Sequence, residues 1–221
     1  MKDNDKPDAW DRFKLFQPFI TCPPERPLRR VGPQGDGGKW LCDPGPERAP
    51  CAVLSLGSNM DFGFEHAILS ETPCRVVTAD CTVNGDKLGD RHTFLRACVG
   101  GFDHAIADPK ILTYSDMMRR GGLDAVTILK IDVEGYEYPV LAEWKESSRG
   151  LPDQISIELH WKKFDIPHPE GLPMLYGRKE FGILDLALFM DHLVDLGYGI
   201  VSQEINPGCP GCSEFTFVRV R

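Results

Sequence analysis

An α/β fold built on a single mostly parallel sheet of seven strands, ending in an antiparallel C-terminal hairpin, follows from three features of the sequence. From Cys51 onward short apolar runs alternate with helix-length segments, the rhythm of βαβ units. The last two apolar runs have no helix between them and are joined by INPGCPGC, so they pair as a hairpin. The chain has 221 residues, of which 42% are hydrophobic, enough to bury the core such a sheet needs.

Taken in order, residues 1–50 come first and differ in texture from the rest. The stretch CPPERPLRRVGPQGDGGKWLCDPGPERAPC is dense in Pro, Gly and charge and promises little regular structure. We read 1–50 as an N-terminal arm or lid on a domain spanning 51–221. Within DGGKW, residues 36–40, the glycines suit a hinge, and Lys39 and Trp40 could close over a ligand. Strands are expected at 51–56, 75–79, 93–98, 126–132, 154–160, 198–204 and 213–220. Helices are expected at 61–70, 114–120, 137–146 and 181–195. The last shows Ile183, Leu186, Ala187, Met190, Leu193 and Val194 at helical spacing. No internal repeat or low-complexity tract interrupts the pattern.

The formal net charge is −8, which repels phosphate backbones and anionic membrane surfaces; nucleic acid is therefore not the expected partner. FGILDLALFMDHLVDLGY, the most apolar long stretch, is broken by Asp185, Asp191 and Asp195, so no membrane span is expected. Charges occupy the N-terminus where a secretory signal needs an apolar core, which favours a cytoplasmic location. The eight cysteines keep an oxidising lumen open, with Cys42 and Cys51 the first pair to consider.

LSLGSNMDFGFE, residues 54–65, puts Gly57, Ser58 and Asn59 where the first strand gives way to a helix. Glycine admits close backbone approach of a ligand, and Asn59 can cap the helix or bind a polar group. Asp80 ends the next strand, 23 residues past Gly57. That is the place for a carboxylate that accepts hydrogen bonds from two ribose hydroxyls. The full G-x-G-x-x-G fingerprint and a phosphate-binding lysine are both missing. A nucleoside without pyrophosphate is thus the expected ligand, and an NAD-dependent oxidoreductase is disfavoured.

LKIDVEGYE, residues 129–137, carries three charges in what reads as a core strand. Lys130, Asp132 and Glu134 share one face, as do Ser156, Glu158 and His160 in the strand 154–160. If the strands are neighbours, Lys130 meets Glu158 inside the sheet as a structural pair, and Asp132, Glu134 and His160 emerge at the ligand edge. An imidazole among acids there is suited to taking a proton near neutral pH. CPGC, residues 209–212, has redox or half-zinc spacing but no second Cys/His pair nearby, and is read as a tight hairpin turn.

Together, VLSLGSNMDFGFE, VVTAD, VTILKIDVEGYEYPVL and ISIELH resemble the FkbM-type and methyltransferase-like protein 24-type S-adenosylmethionine-dependent methyltransferases. GDGGKWLCD fits the second group better, and the resemblance spans roughly residues 30–220. It implies a Rossmann-like class I methyltransferase fold, with Gly57, Ser58 and Asn59 near the amino acid part of S-adenosyl-L-methionine, Asp80 on its ribose and Asp132 beside the methionine moiety. The implied reaction is O-methylation of a small molecule or sugar hydroxyl, with His160 removing the proton. One alternative has Asp132, Glu158 and His160 hold a divalent metal such as Mg²⁺ that acidifies the hydroxyl. Another keeps the fold as a non-catalytic cofactor-binding scaffold. The acceptor and the oligomeric state have no signature in the sequence.

Overall fold

The computed structural model describes residues 9–45, 50–161, 182–209 and 211–220. Residues 1–8 and 46–49 of the expected arm, Phe181 of the expected last helix and Pro210 of the CPGC turn lie outside the described residues. In chain order the elements are α1 (Ala9–Phe13), β1 (Leu28–Val31), β2 (Lys39–Cys42), β3 (Ala52–Leu56), α2 (Gly63–Glu71), β4 (Arg75–Ala79), β5 (His92–Leu95), β6 (Cys98–Val99) and α3 (Phe102–Ala107). There follow β7 (Ile111–Leu112), α4 (Tyr114–Gly121), β8 (Ile128–Ile131), α5 (Glu137–Ala142), β9 (Gln154–His160), α6 (Ile183–Asp195), β10 (Tyr198–Ile205) and β11 (Cys212–Arg219).

All seven expected strands enter one sheet, in the order β10-β11-β9-β8-β3-β4-β5. β9, β8, β3, β4 and β5 are parallel, while β11 runs antiparallel to both β9 and β10. The strand expected over 93–98 stops at Leu95, because the chain leaves the sheet and Cys98–Val99 pairs with Ile111–Leu112 in a separate ladder. The helix expected over 137–146 stops at Ala142. There the backbone tightens, with Trp144 N–H on Leu141 O at 3.1 Å, and the Glu143 carboxylate turns away to accept the Phe102 amide. In α6 the buried stripe is Leu186, Phe189, Met190 and Leu193, while Ile183 and Val194 lie at its exposed margins. Among the described residues no helix is long and apolar enough to cross a membrane.

The two faces of the sheet differ. One is apolar throughout: Leu54, Leu56, Leu129, Ile131, Ile155, Ile157, Phe215 and Phe217 belong to the main core cluster. The other is apolar only at the amino ends of the parallel strands, where Val53, Val76 and Ile128 pack with Phe64 and Ile68 of α2. One layer up, Thr78, Ser55, Lys130, Ser156, Thr216 and Ser202 lie side by side across six strands. Next to them Glu158, Glu214 and Glu204 stand in register on β9, β11 and β10. A row of buried polar groups needs a polar cover.

Residues 28–42 supply it, so part of the stretch expected to hold little regular structure is an antiparallel hairpin of β1 and β2. The Gln154 side chain brackets the Cys42 backbone, accepting from N–H at 2.9 Å and donating to C=O at 2.8 Å. Lys39 pairs with Glu214, and Arg30 Nη1 lies 2.8 Å from a Glu204 carboxylate oxygen. Hydrogen bonding and charge hold the hairpin over this half of the sheet together with the burial of Val31 and Leu41 against Val53, Ile128 and α2, and of Cys42 against Val201 and Val218.

All eight cysteines are paired, as Cys22–Cys42, Cys51–Cys74, Cys81–Cys98 and Cys209–Cys212. The expected Cys42–Cys51 bridge is therefore replaced. Cys51 and Cys74 precede neighbouring parallel strands whose register sets Ala52 against Arg75, which leaves their Cα atoms 4.5 Å apart. Cys42, at the end of β2, meets Cys22 of the incoming chain instead.

Candidate active site

At the carboxyl end of β3 the chain turns with Gly57 at φ 78°, followed by Asn59 and Met60 at φ 43° and 66°. Gly57 is required twice over. Its conformation suits glycine, and a Cβ there would stand 1.7 Å from the Asp132 carbonyl oxygen. Asp80 buckles the turn from the next strand: Oδ2 accepts the N–H groups of Ser58 at 2.9 Å and Asn59 at 2.8 Å. Its other oxygen accepts from the Thr82 N–H and hydroxyl at 2.8 and 2.7 Å. Burial alone would raise the Asp80 pKa, but hydrogen bonds from Asn59, Thr82 and Ser58 outweigh it and hold the carboxyl below its ordinary range. Asn59 does not cap α2, whose N-cap position is Phe62.

Next along the edge lie the charged residues of β8 and β9. Lys130 does not meet Glu158. Its register partner on β9 is Ser156, and its ammonium donates to the Gly57 carbonyl, tying β8 to the turn. Glu158, two residues further along, accepts from Asn206 Nδ2 at 2.7 Å. Burial first, then the charges of Asp132 and Glu214, push Glu158 up to about 8, against the opposing pull of Asn206 and His160.

His160 ends β9 almost fully buried, with 6% of its surface exposed. Its Nδ1 donates to Glu137 Oε1 at 3.0 Å. Its Nε2 faces three other carboxylates, 3.4 Å from Glu134 Oε2, 3.8 Å from Glu158 Oε2 and 3.9 Å from Asp132 Oδ1. Burial would lower the imidazole pKa, but the charge and hydrogen bond of Glu137, then Glu158 and Asp132, push it up to about 10. A pKa raised that far favours the doubly protonated, cationic ring at neutral pH. Glu134 sits at φ 54°, an uncommon conformation for a residue with a side chain, at the start of the tight turn into α5.

The residues picked out by sequence thus form two adjoining groups: Gly57, Ser58, Asn59 and Asp80 in one, Asp132, Glu134 and His160 in the other. The Asp132 carbonyl against Gly57 and the Lys130–Gly57 bond join them. Three further participants carry no such mark in the sequence. Asn206 and Glu137 hold Glu158 and His160, and Glu214 pairs beside them with Lys39, the residue expected to close over a ligand. Of these only Glu137 has a local signal, an acid three residues after Glu134 at the opening of a helix, where a carboxylate is favoured for electrostatic reasons alone. Among the described residues, Asp132, Glu134 and His160 offer ligand atoms within 4.8 Å of one another; Cys212 also lies near Glu158 and His160, but its sulfur is taken up in the disulfide with Cys209. Glu134, not Glu158, therefore completes the set around Asp132 and His160.

The methyltransferase domain family matches residues 2–219. Among curated proteins there is no significant match. Similar solved structures include a chain of the Haloferax volcanii complex between the Trm112 methyltransferase activator and a methyltransferase, at 11% identity and a TM-score of 0.40, covering 80% of this chain and 85% of that one. The fibrillarin pre-rRNA processing protein of Methanococcus jannaschii matches at 13% identity and a TM-score of 0.39, covering 79% and 68%. OxaC in complex with sinefungin and meleagrin matches at 13% identity and a TM-score of 0.33, covering 76% and 42%. Overlaps of this extent assign no substrate or partner to this chain.

Proposed function

The chain belongs to the methyltransferase domain family and is an S-adenosylmethionine-dependent methyltransferase; from that premise we propose that it methylates a hydroxyl of a small molecule or glycan. The observation that carries this reading is the contact of Asp132 with Gly57, which sets a cluster of acids and an imidazole directly against the cofactor turn. Gly57, Ser58 and Asn59 would receive the amino acid part of the cofactor, Asp80 its ribose, and Asp132 would border the methionine moiety. A nucleoside ribose would then share Asp80 with the turn amides, since a carboxylate has more acceptor directions than its present donors need.

In the reaction the acceptor oxygen bonds to the methyl carbon as the carbon–sulfur bond breaks, the electron pair staying on sulfur. The hydroxyl proton passes to His160 Nε2. The acids that hold a proton on the empty imidazole are the ones a cationic sulfonium would share, and a second positive charge beside the ring opposes that proton. Positioning supplies most of the rate. The finer placement among FkbM-type and methyltransferase-like protein 24-type enzymes rests on the KIDVEG and IELH motifs. A net charge of −8 argues against a nucleic acid acceptor, and four disulfides support residence in an oxidising compartment.

A second reading is favoured by the convergence of Asp132, Glu134 and His160. Two carboxylates, one on the exposed Glu134, and an imidazole suit a divalent ion that keeps several waters, and such an ion would acidify the acceptor hydroxyl. The experiment is a screen of hydroxylated acceptors with labelled cofactor, run with and without chelator. Methyl transfer that survives chelation supports the imidazole as base. Loss restored by one added metal supports the second reading. Transfer to amines or thiols alone, with no hydroxyl accepted, would overturn the proposal.

A further inference from the structure

Glu137 opens α5 with its side chain completely buried, at 0% exposure. One oxygen, Oε1, accepts the Val133 N–H at 2.8 Å and the Nδ1 proton of His160 at 3.0 Å. The other, Oε2, has no hydrogen-bond partner among the described residues. A buried charge costs more to desolvate than the neutral amide of a glutamine of the same shape, which would still accept the Val133 amide. What glutamine cannot supply is a charged acceptor dedicated to the Nδ1–H, since its amide is neutral and can also present a donor to the ring.

The single oxygen also joins two segments far apart in sequence. Through Val133 it holds the turn that carries Asp132 and Glu134, and through His160 it holds the end of β9. We propose that Glu137 is a positioning residue for the methyl transfer: it keeps Nδ1 as the donor side of the His160 ring, so that Nε2 faces Asp132 and Glu134 where the acceptor proton arrives. This inference rests on the reading of His160 as proton acceptor. A ring held by one nitrogen in a defined tautomer is what makes the other a reliable acceptor, and the wrong tautomer removes the lone pair without moving the ring.

The test uses Glu137→Gln, His160→Gln and the double variant of the full chain, with Glu137→Asp as a conservative rescue. Three readouts are needed: calorimetric affinity for S-adenosylhomocysteine, conversion of S-adenosylmethionine to S-adenosylhomocysteine with water or a found hydroxyl acceptor, and the ring N–H proton of His160 by nitrogen-correlated NMR. In the unaltered protein that proton should be shifted far downfield, exchange slowly and correlate with Nδ1. In Glu137→Gln the signal should vanish and turnover should drop by on the order of 10² to 10³, as for a mispositioned catalytic histidine, while product affinity stays within about threefold. Glu137→Asp should recover part of both the signal and the turnover, and Glu137→Gln should do no further harm in the His160→Gln background. An unchanged Nδ1 signal in Glu137→Gln, or equal losses in the two backgrounds, would overturn the inference. Full turnover in His160→Gln with the Nδ1 signal still dependent on Glu137 would instead overturn the reading of His160 and leave the contact as structure alone.

Discussion

At the β3–β4 end of the sheet edge one carboxylate serves several donors, whereas at the β8–β9–β11 end several carboxylates gather, among the described residues, around one imidazole. Asp80 accepts the amides of Ser58 and Asn59 and both donors of Thr82, and its charge is lowered in energy by all of them. Asp132, Glu134, Glu137 and Glu158 instead crowd one imidazole, beside Glu214 with its single lysine. Hydrogen bonds complete the first network, and it can act as a rigid cradle. Among the described residues the second gathers Asp132, Glu134, Glu137, Glu158 and Glu214 about His160, Lys39 and Lys130, an arrangement that favours a bound positive charge. Polar networks left unfinished at a ligand edge are where chemistry is expected, because a fold kept for stability alone would have completed or removed them.

The largest effect should come from breaking the seam between the two regions. Gly57→Ala places a methyl against the Asp132 carbonyl in a backbone conformation alanine resists, and should cost more than about 4 kcal/mol. Chemical denaturation measures it, and a variant with unaltered stability would mean the two groups are not in contact. Next, His160→Gln should leave S-adenosylhomocysteine affinity in place while turnover drops by on the order of 10² to 10⁴. Equal loss of binding and turnover would make the acidic end part of the cofactor site.

A smaller effect separates the two lysines. Lys39→Met strands the buried Glu214 carboxylate and should destabilise by about 3 to 5 kcal/mol. Lys130→Met leaves the neutral carbonyl of Gly57 without its donor and takes a more distant positive charge from Glu214, which keeps Lys39, for about 1 to 3 kcal/mol. Melting curves in which Lys130→Met is the more damaging would restore the Lys130–Glu158 pair expected from sequence. The smallest effect belongs to the finished end: Asp80→Asn should cost about 2 kcal/mol near neutral pH. The Asp80 pKa is lowered in the folded state, so its contribution is fully present above the ordinary carboxylate range and fades as pH falls through that range toward the folded value. The gap in melting temperature between Asp80→Asn and the unaltered chain should therefore narrow below about pH 4. A constant gap down to acid pH would show that the charge of Asp80 does not matter to the turn.

How much of the site could be read in advance divides along the same line. Gly57, Asn59 and Asp80 were legible because a strand, a tight turn and a helix announce themselves over a few residues. The acids of LKIDVEGYE were legible as a set, since alternation puts them on one face. Their partners were not. A shared face on neighbouring strands predicts that Lys130 meets Glu158, yet the register of β8 on β9 sets Lys130 beside Ser156, and its ammonium reaches the Gly57 carbonyl instead. Glu137 read as an ordinary helix opening, because nothing local says that His160, 23 residues on, ends beside it.

The sequence by itself determined the seven strands, their mostly parallel sheet and the hairpin at its end, and it marked the tight turn at Gly57 and the carboxylate that holds it. These depend on periodicity and turn chemistry, which act within a dozen residues. The tertiary structure alone decided that Cys42 joins Cys22, that a hairpin from the Pro/Gly-rich arm covers the polar half of one face, and that Glu137 rather than Lys130 supports His160 at the end of β9. Those contacts join segments whose spacing along the chain says nothing about their separation in space. They are fixed by the register of non-adjacent strands, where a shift of one residue exchanges every partner on a face.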